Sequence, residues 1–375
     1  VIVIRPVAVL VMALALCGLA PRPDGVAAVR RAPSPRSVYD AMTPAQRIGQ
    51  LFMVGVPSTG ASPRQLARLR QLDVGNVVLD GDSSLGVART ATVTSAIAAG
   101  LAVDGVEPFV STDQEGGEVQ RLSGPGFSTI PSALRQGKRA PARLRADWKT
   151  WSAQLAKAGV TVDLAPVADT VPASESATNQ PIGRYHREYG HTPAAVAPHV
   201  AAVVRGQDAA GVVPTVKHFP GLGRATGDTD TSANVTDPTS RHDSYVEPFA
   251  AGVRAGAGFV MVSFAKYPRI DRYHLACFSA TVMRGMLRHD LRFGGVIMSD
   301  SFNAAAVRDR PAGAAAISFL RAGGTMLLDT ESRPIHAMEQ ALRRKAGADP
   351  RFAAVVKAAV MHVLRAKAAA GILGS

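Results

Sequence analysis

Eight short apolar runs recur along this chain, and the stretch between each pair reads as amphipathic helix. No other feature of the sequence constrains the fold as tightly. The runs lie near residues 51–56, 74–79, 108–112, 160–165, 213–217, 259–263, 295–298 and 325–328. Each has the length of a strand, and near-continuous apolar character suits parallel strands buried on both faces. Eight such units within about 330 residues predict an α/β fold, a single (β/α)8 TIM barrel in which individual units can be irregular. Between the runs, Ser62 reads as a helix N-cap with Pro63 at the first helical position, and Leu66 and Leu69 share a face. Trp148, Trp151 and Leu155 recur at helical spacing, so the tryptophans are expected to pack a helix on the barrel.

Size and charge agree with one large core. The chain has 375 residues, 47% of them hydrophobic but only 5% aromatic, and a formal net charge of +13. Its Lys and Arg are scattered in short runs such as Arg30-Arg31, and few aromatics are available for base stacking. Nucleic acid is therefore not an expected partner. At the N-terminus Arg5, an apolar run over 7–16 and the small residues Val26-Ala27-Ala28 read as a signal peptide over 1–28. The run is shorter than the ~20 residues that span a bilayer, so the mature form is expected to have no transmembrane domain and to be secreted or held at the cell surface. Cys17 lies in a context close to a lipoprotein acylation site, with Leu16 where a small residue is expected. Residues 29–41 read as a Pro-, Ser- and Arg-rich linker, and 42–375 as the folded domain. Cys277 would then be the sole cysteine of the mature chain, leaving no intrachain disulfide.

Polar groups cluster where the predicted strands end, which is where barrels of this kind carry chemistry. The fifth run leads into Lys217-His218-Phe219-Pro220-Gly221 and then Asp228-Thr229-Asp230. The third leads into Asp113-Gln114-Glu115-Gly116-Gly117 and Gln120-Arg121, and the seventh into Ser299-Asp300. A lysine directly after a buried run is costly unless it points into a polar pocket. The sequence holds no nucleotide-binding glycine loop, zinc-ligand cluster or Gly-x-Ser-x-Gly elbow, so neither metal nor organic cofactor is expected.

Together these motifs, with Met42-Thr43-Pro44 and Gln50-Leu51-Phe52-Met53-Val54-Gly55 upstream, resemble glycoside hydrolase family 3 and its single-domain bacterial β-N-acetylglucosaminidase branch. The resemblance implies a secreted retaining glycosidase that releases terminal N-acetylglucosamine from amino-sugar glycosides of cell-wall or chitin origin. Asp300 stands at the place of the nucleophile, whose carboxylate attacks the anomeric carbon and leaves from a glycosyl ester. Asp113, Arg121, Lys217 and His218 resemble groups that hold the terminal sugar, and Arg187 a further substrate arginine, with Arg184 its near alternative. Where the branch reads Lys-His-Phe-Pro-Gly-His-Gly and later Asp-Ser-His, this chain has Leu222 and Asp230 in place of the two histidines. Asp230 is accordingly expected to take the acid/base role beside Asp228. Glu118 stands where Arg is common and Thr325 where Asp is common. The loop over 222–234 is expected to stand open without substrate, with Gly221, Gly223 and Gly227 letting it move. Two other readings follow from the same residues: a β-glycosidase of different sugar specificity, and a sugar-binding barrel without turnover.

Overall fold

The computed structural model describes residues 33–374. Each of the eight apolar runs overlaps a strand: β1 Phe52–Pro57, β2 Asn76–Asp80, β3 Phe109–Thr112, β4 Val162–Asp163, β5 Val213–Phe219, β6 Phe259–Val262, β7 Val296–Ser301 and β8 Met326–Asp329. Each pairs in parallel with its neighbours in the chain, and β8 pairs with β1 (Phe52 opposite Leu327) to close the barrel. The closure brings backbones unusually near. A Cβ on Gly55 would lie 2.2 Å from the Thr330 carbonyl oxygen, so β1 needs glycine there.

Strand lengths depart from the expected ones in a way that matters for the site. β4 is cut to two residues because Pro166 follows closely and offers no N–H, although Thr161 and Leu164 still donate to Val110 and Thr112 of β3 at 2.8 Å. β5 and β7 run further than their apolar stretches, so Lys217, His218 and Asp300 belong to strands and inherit their rigidity. Inside the core Phe109 and Phe259 meet edge to face at 5.3 Å. Trp148, Trp151 and Leu155 are all buried on the helix Pro141–Lys157, as their spacing predicts. Ser62 caps the helix Pro63–Gln71 by accepting the Gln65 N–H.

The reading of 29–41 as linker needs correction where the structure describes it. Pro35–Ala41 is a helix, capped by Ser34, that packs Val38 and Tyr39 against the C-terminal helix Pro350–Ala369. Serine before proline is a helix-start signal, and the polar composition around it hid that signal. The signal peptide over 1–28, Cys17, and residues 29–32 lie outside the described residues. Among the described residues no helix is long and apolar enough to cross a membrane.

Candidate active site

At the C-terminal ends of the strands the barrel opens into a cavity of about 530 Å3. All eight site residues named from the sequence line it: Asp113, Arg121, Arg187, Lys217, His218, Asp228, Asp230 and Asp300. Asp113 and Arg121 come from the chain after β3, where a hairpin of Gln114–Gly116 and Val119–Gln120 turns Arg121 back so that its N–H donates to the Asp113 carbonyl at 3.1 Å. Lys217 and His218 come from β5, Arg187 from the long connection after β4, and Asp300 from the last turn of β7.

The floor is a set of buried ion pairs. Lys217 Nζ lies 2.5 Å from Asp113 Oδ1 and 2.6 Å from Glu115 Oε1, with only 3% of its side chain exposed. Burial works against its charge, but those two carboxylates outweigh it and raise the ammonium pKa. Glu115 in turn receives both arms of Arg187, at 2.8 Å from Nε and 2.7 Å from Nη2. Burial opposes the Glu115 carboxylate as well, yet Arg187 and Lys217 hold it well below the usual range. Asp163, fully buried at the end of β4, has no such partner; burial pushes it up to about 8, while it accepts from the Gln114 N–H and Gln207 Nε2. Arg121 sits higher, paired with the exposed Asp82 at 2.9 Å.

His218 is fixed by a residue that sequence reasoning passed over. Asp169 is fully buried and accepts from His218 Nδ1 at 2.7 Å, from the His218 N–H at 3.2 Å, and from the Leu222 N–H at 2.7 Å. The bond at Nδ1 leaves Nε2 as the free ring nitrogen. A signal did exist: Asp169 closes the run Leu164-Ala165-Pro166-Val167-Ala168, and a carboxylate inside so apolar a stretch must have partners. Glu115 was visible within its motif without a role, and Asn179 gave no sign. That buried amide accepts from the N–H groups of Ile182 and Gly183, both at 3.0 Å, and donates to the Leu222 carbonyl at 2.9 Å, so it ties the connection bearing Arg187 to the loop bearing Asp230.

That loop is closed over the cavity, against the expectation of an open one. The Ala305 and Ala306 N–H groups donate to the carbonyls of Asp230 and Thr229, both at 3.1 Å, joining it to the loop after β7. Leu222 is 2% exposed, and burying its apolar side chain draws the loop onto the barrel. Gly223 serves close packing, since a Cβ there would lie 1.8 Å from the Thr170 carbonyl oxygen. The closed loop puts Asp230 in the same cavity as Asp300, with its N–H donating to Asp228 Oδ1 at 2.9 Å. Asp230 keeps contact with solvent at the rim. Crowding by the cavity walls, then the charges of Asp300 and Asp228, push its carboxyl up to about 6. Asp300 Oδ1 accepts the Ser301 N–H at 2.8 Å. An acid with a raised pKa in one cavity with a second carboxylate, above a floor that offers fixed donors and acceptors, suits cleavage of a glycosidic bond.

Comparison with known proteins points the same way. Residues 43–366 match the model of the glycosyl hydrolase family 3 N-terminal domain. Beta-hexosaminidase LpqI of Mycobacterium tuberculosis is 30% identical over 336 residues, covering 86% of this chain and 83% of its own length. The crystal structure of a β-N-acetylhexosaminidase from Beutenbergia cavernae is similar with a TM-score of 0.83 and 45% identity, over 87% of this chain and 99% of that one. A glycoside hydrolase family 3 β-N-acetylglucosaminidase from Paenibacillus follows with a TM-score of 0.79 and 26% identity, over 88% of this chain and 63% of that one.

Proposed function

The chain belongs to glycosyl hydrolase family 3, and from that premise we propose that it is a retaining β-N-acetylglucosaminidase, exported from the cell, that releases terminal N-acetylglucosamine from cell-wall or chitin-derived fragments. The chain is a glycoside hydrolase with hexosaminidase relatives. In the proposed reaction the Asp300 carboxylate attacks the anomeric carbon while Asp230 gives its proton to the glycosidic oxygen, and the aglycone leaves as an alcohol. Asp230, now a carboxylate, takes a proton from water; the water attacks the same carbon and Asp300 is released. Asp113, Lys217 and His218 at the floor, with Arg187 and Arg121, bind the sugar's hydroxyls and acetamido group. Asp228 acts on Asp230 through its charge and the backbone bond at 2.9 Å.

The observation that carries this reading is that Asp230 lines the same cavity as Asp300 with its carboxyl pushed up to about 6. A carboxylic acid that keeps its proton in mildly acidic solution can do the work of the absent histidine. The test is Asp230→Ala assayed on two aglycones. Nitrophenolate leaves with little help from an acid, whereas a sugar alcohol needs one. The variant should lose about 100-fold more kcat/KM on the sugar aglycone, in line with the usual contribution of a general acid, and azide should restore part of its activity on the aryl substrate. Equal losses on both, with no azide rescue, would remove Asp230 from the role and leave another group as the proton donor.

A further inference from the structure

The cavity is acidic although the chain carries a net charge of +13. Its lining holds the carboxyl groups of Asp80, Asp113, Glu118, Asp228, Asp230 and Asp300 against the cations Arg121, Arg187 and Lys217. Each of those cations is already engaged by a carboxylate: Lys217 by Asp113 and Glu115, Arg187 by Glu115, and Arg121 by Asp82. Among the described residues Asp80 and Glu118 make no ion pair. Asp228, Asp230 and Asp300 make none either, so the surplus negative charge runs from these acids out to the solvent side, where Glu118 and Asp80 are exposed, and does not lie at the buried floor around Lys217 and His218.

The mouth also holds an aromatic ring. Tyr185 lines the cavity and is 36% exposed, one of two large apolar side chains exposed among the described residues. It stands on a tight turn, Gly183–Tyr185, whose start is pinned by the two bonds to Asn179 and whose end is the left-handed His186 (φ 53°). A ring on so constrained a backbone offers a face at small entropic cost. Arg184, whose guanidinium lies 5.9 Å from that ring, does not line the cavity. If the terminal sugar binds at the floor with Asp230 at the glycosidic oxygen, as in the proposed reaction, the exposed groups of the cavity lining are those left to face the leaving sugar.

We propose that the mouth is a leaving-sugar site, built on Tyr185 and Glu118, that accepts an uncharged or cationic sugar ring and rejects one bearing a carboxylate. The inference rests on the β-N-acetylglucosaminidase reading and narrows it toward chitin-type over muramic-acid-containing fragments. Tyr185 stacks on the ring's C–H face, while Glu118 and Asp80 repel an acid and attract an ammonium.

The experiment uses the full chain and three β-1,4 disaccharides of N-acetylglucosamine, whose leaving sugars are N-acetylglucosamine, glucosamine and N-acetylmuramic acid. N-acetylglucosaminyl fluoride, with no leaving sugar, is the internal reference. In mildly acidic low-salt buffer, kcat/KM for the first two should exceed that for the muramic acid compound by about tenfold, and added salt should narrow the gap. Glu118→Gln should narrow it to about threefold. Tyr185→Ala should lower the disaccharide-to-fluoride ratio by about tenfold, and Tyr185→Phe should restore it. A wild type that cleaves the muramic acid disaccharide as fast as the neutral one overturns the inference, as does a Tyr185→Ala loss equally deep on the fluoride. Failure to cleave any of the four, fluoride included, overturns the parent activity and the inference with it.

Discussion

A lysine is buried at each end of the barrel, and the two are kept in opposite ways. At the mouth Lys217 sits between Asp113 and Glu115, whose charges outweigh burial and raise its pKa. At the base Lys367 reaches from the C-terminal helix to the carbonyls of Gly75 and Glu107, at 3.0 and 2.7 Å, just before β2 and β3 begin, with its Nζ 5.6 Å from the Phe109 ring. Burial there pushes it down to about 7, against the field of Glu107. One lysine has its charged form favoured in a cavity that, in the proposed function, meets sugar hydroxyls; the other supplies donors to backbone carbonyls out of reach of water, a task the neutral amine performs as well. Burial alone does not mark a functional lysine. The carboxylates around it do.

The comparison assigns chemistry to the mouth alone, and the largest expected effect tests that. Asp300→Ala should lower kcat on the order of 10^4-fold or more, as loss of a nucleophile does, while the thermal midpoint stays close to wild type. A slow fluorinated N-acetylglucosaminide should label a peptide containing Asp300; label on another acid would break the assignment. The next effect separates the two lysines directly. Lys217→Met leaves Asp113 and Glu115 facing an apolar group and should cost about 3–5 kcal/mol of stability, with kcat/KM down about 100-fold or more. Lys367→Met should cost about 1–3 kcal/mol through its two carbonyls and leave kcat/KM within twofold. Comparable activity losses in the two variants would erase the distinction.

The difference between the ends also explains what the sequence could disclose. Strand positions were legible because parallel barrel strands are buried on both faces and read as apolar runs, and strand-end polar residues such as Lys217 and Asp300 stand out against them. Asn179 and Lys367 were not legible, and Asp169 disclosed only that it must have partners, not which ones. Their partners are backbone groups or side chains far along the chain, such as Gly75 for Lys367, and such contacts exist only once the barrel has closed. The closed loop was hidden for a related reason: Gly223 reads as freedom to move, whereas it meets the Thr170 carbonyl. The helix Pro35–Ala41 was concealed by composition, because its burial depends on the chain's other end.

Titration of Lys367 gives a smaller effect. Its folded pKa of about 7 lies below the ordinary 10.5, so between those values the unfolded chain binds a proton that the folded one does not. Its contribution to stability is thus fully present above about 10.5 and is lost as pH falls through about 7. Wild type should gain up to about 2 kcal/mol more than Lys367→Met between pH 7 and 9, read from urea midpoints. Parallel curves for the two proteins would mean that Lys367 stays charged across this range, and the contrast with Lys217 would fail.

The smallest effect concerns Asp230, whose pKa at the mouth is shifted toward the neutral form as that of Lys367 is at the base, but with help from charge as well as burial. Cavity walls raise its pKa most, then Asp300, then Asp228, and His218 and Arg187 oppose them. In the proposed reaction the acid form is the proton donor, so kcat/KM should fall as pH rises through about 6. Asp228→Asn removes one of the two like charges, keeps a side-chain oxygen for the Asp230 N–H, and should move that limb to lower pH by about half a unit. Because kcat/KM reports the free enzyme, substrate binding does not mask the shift. A limb that moves upward would show that Asp228 acts on Asp230 through loop geometry and not through its charge. A limb that stays in place while Asp230→Ala abolishes it would leave burial and Asp300 as the whole cause, making the acid at the mouth and the amine at the base two instances of one desolvation effect.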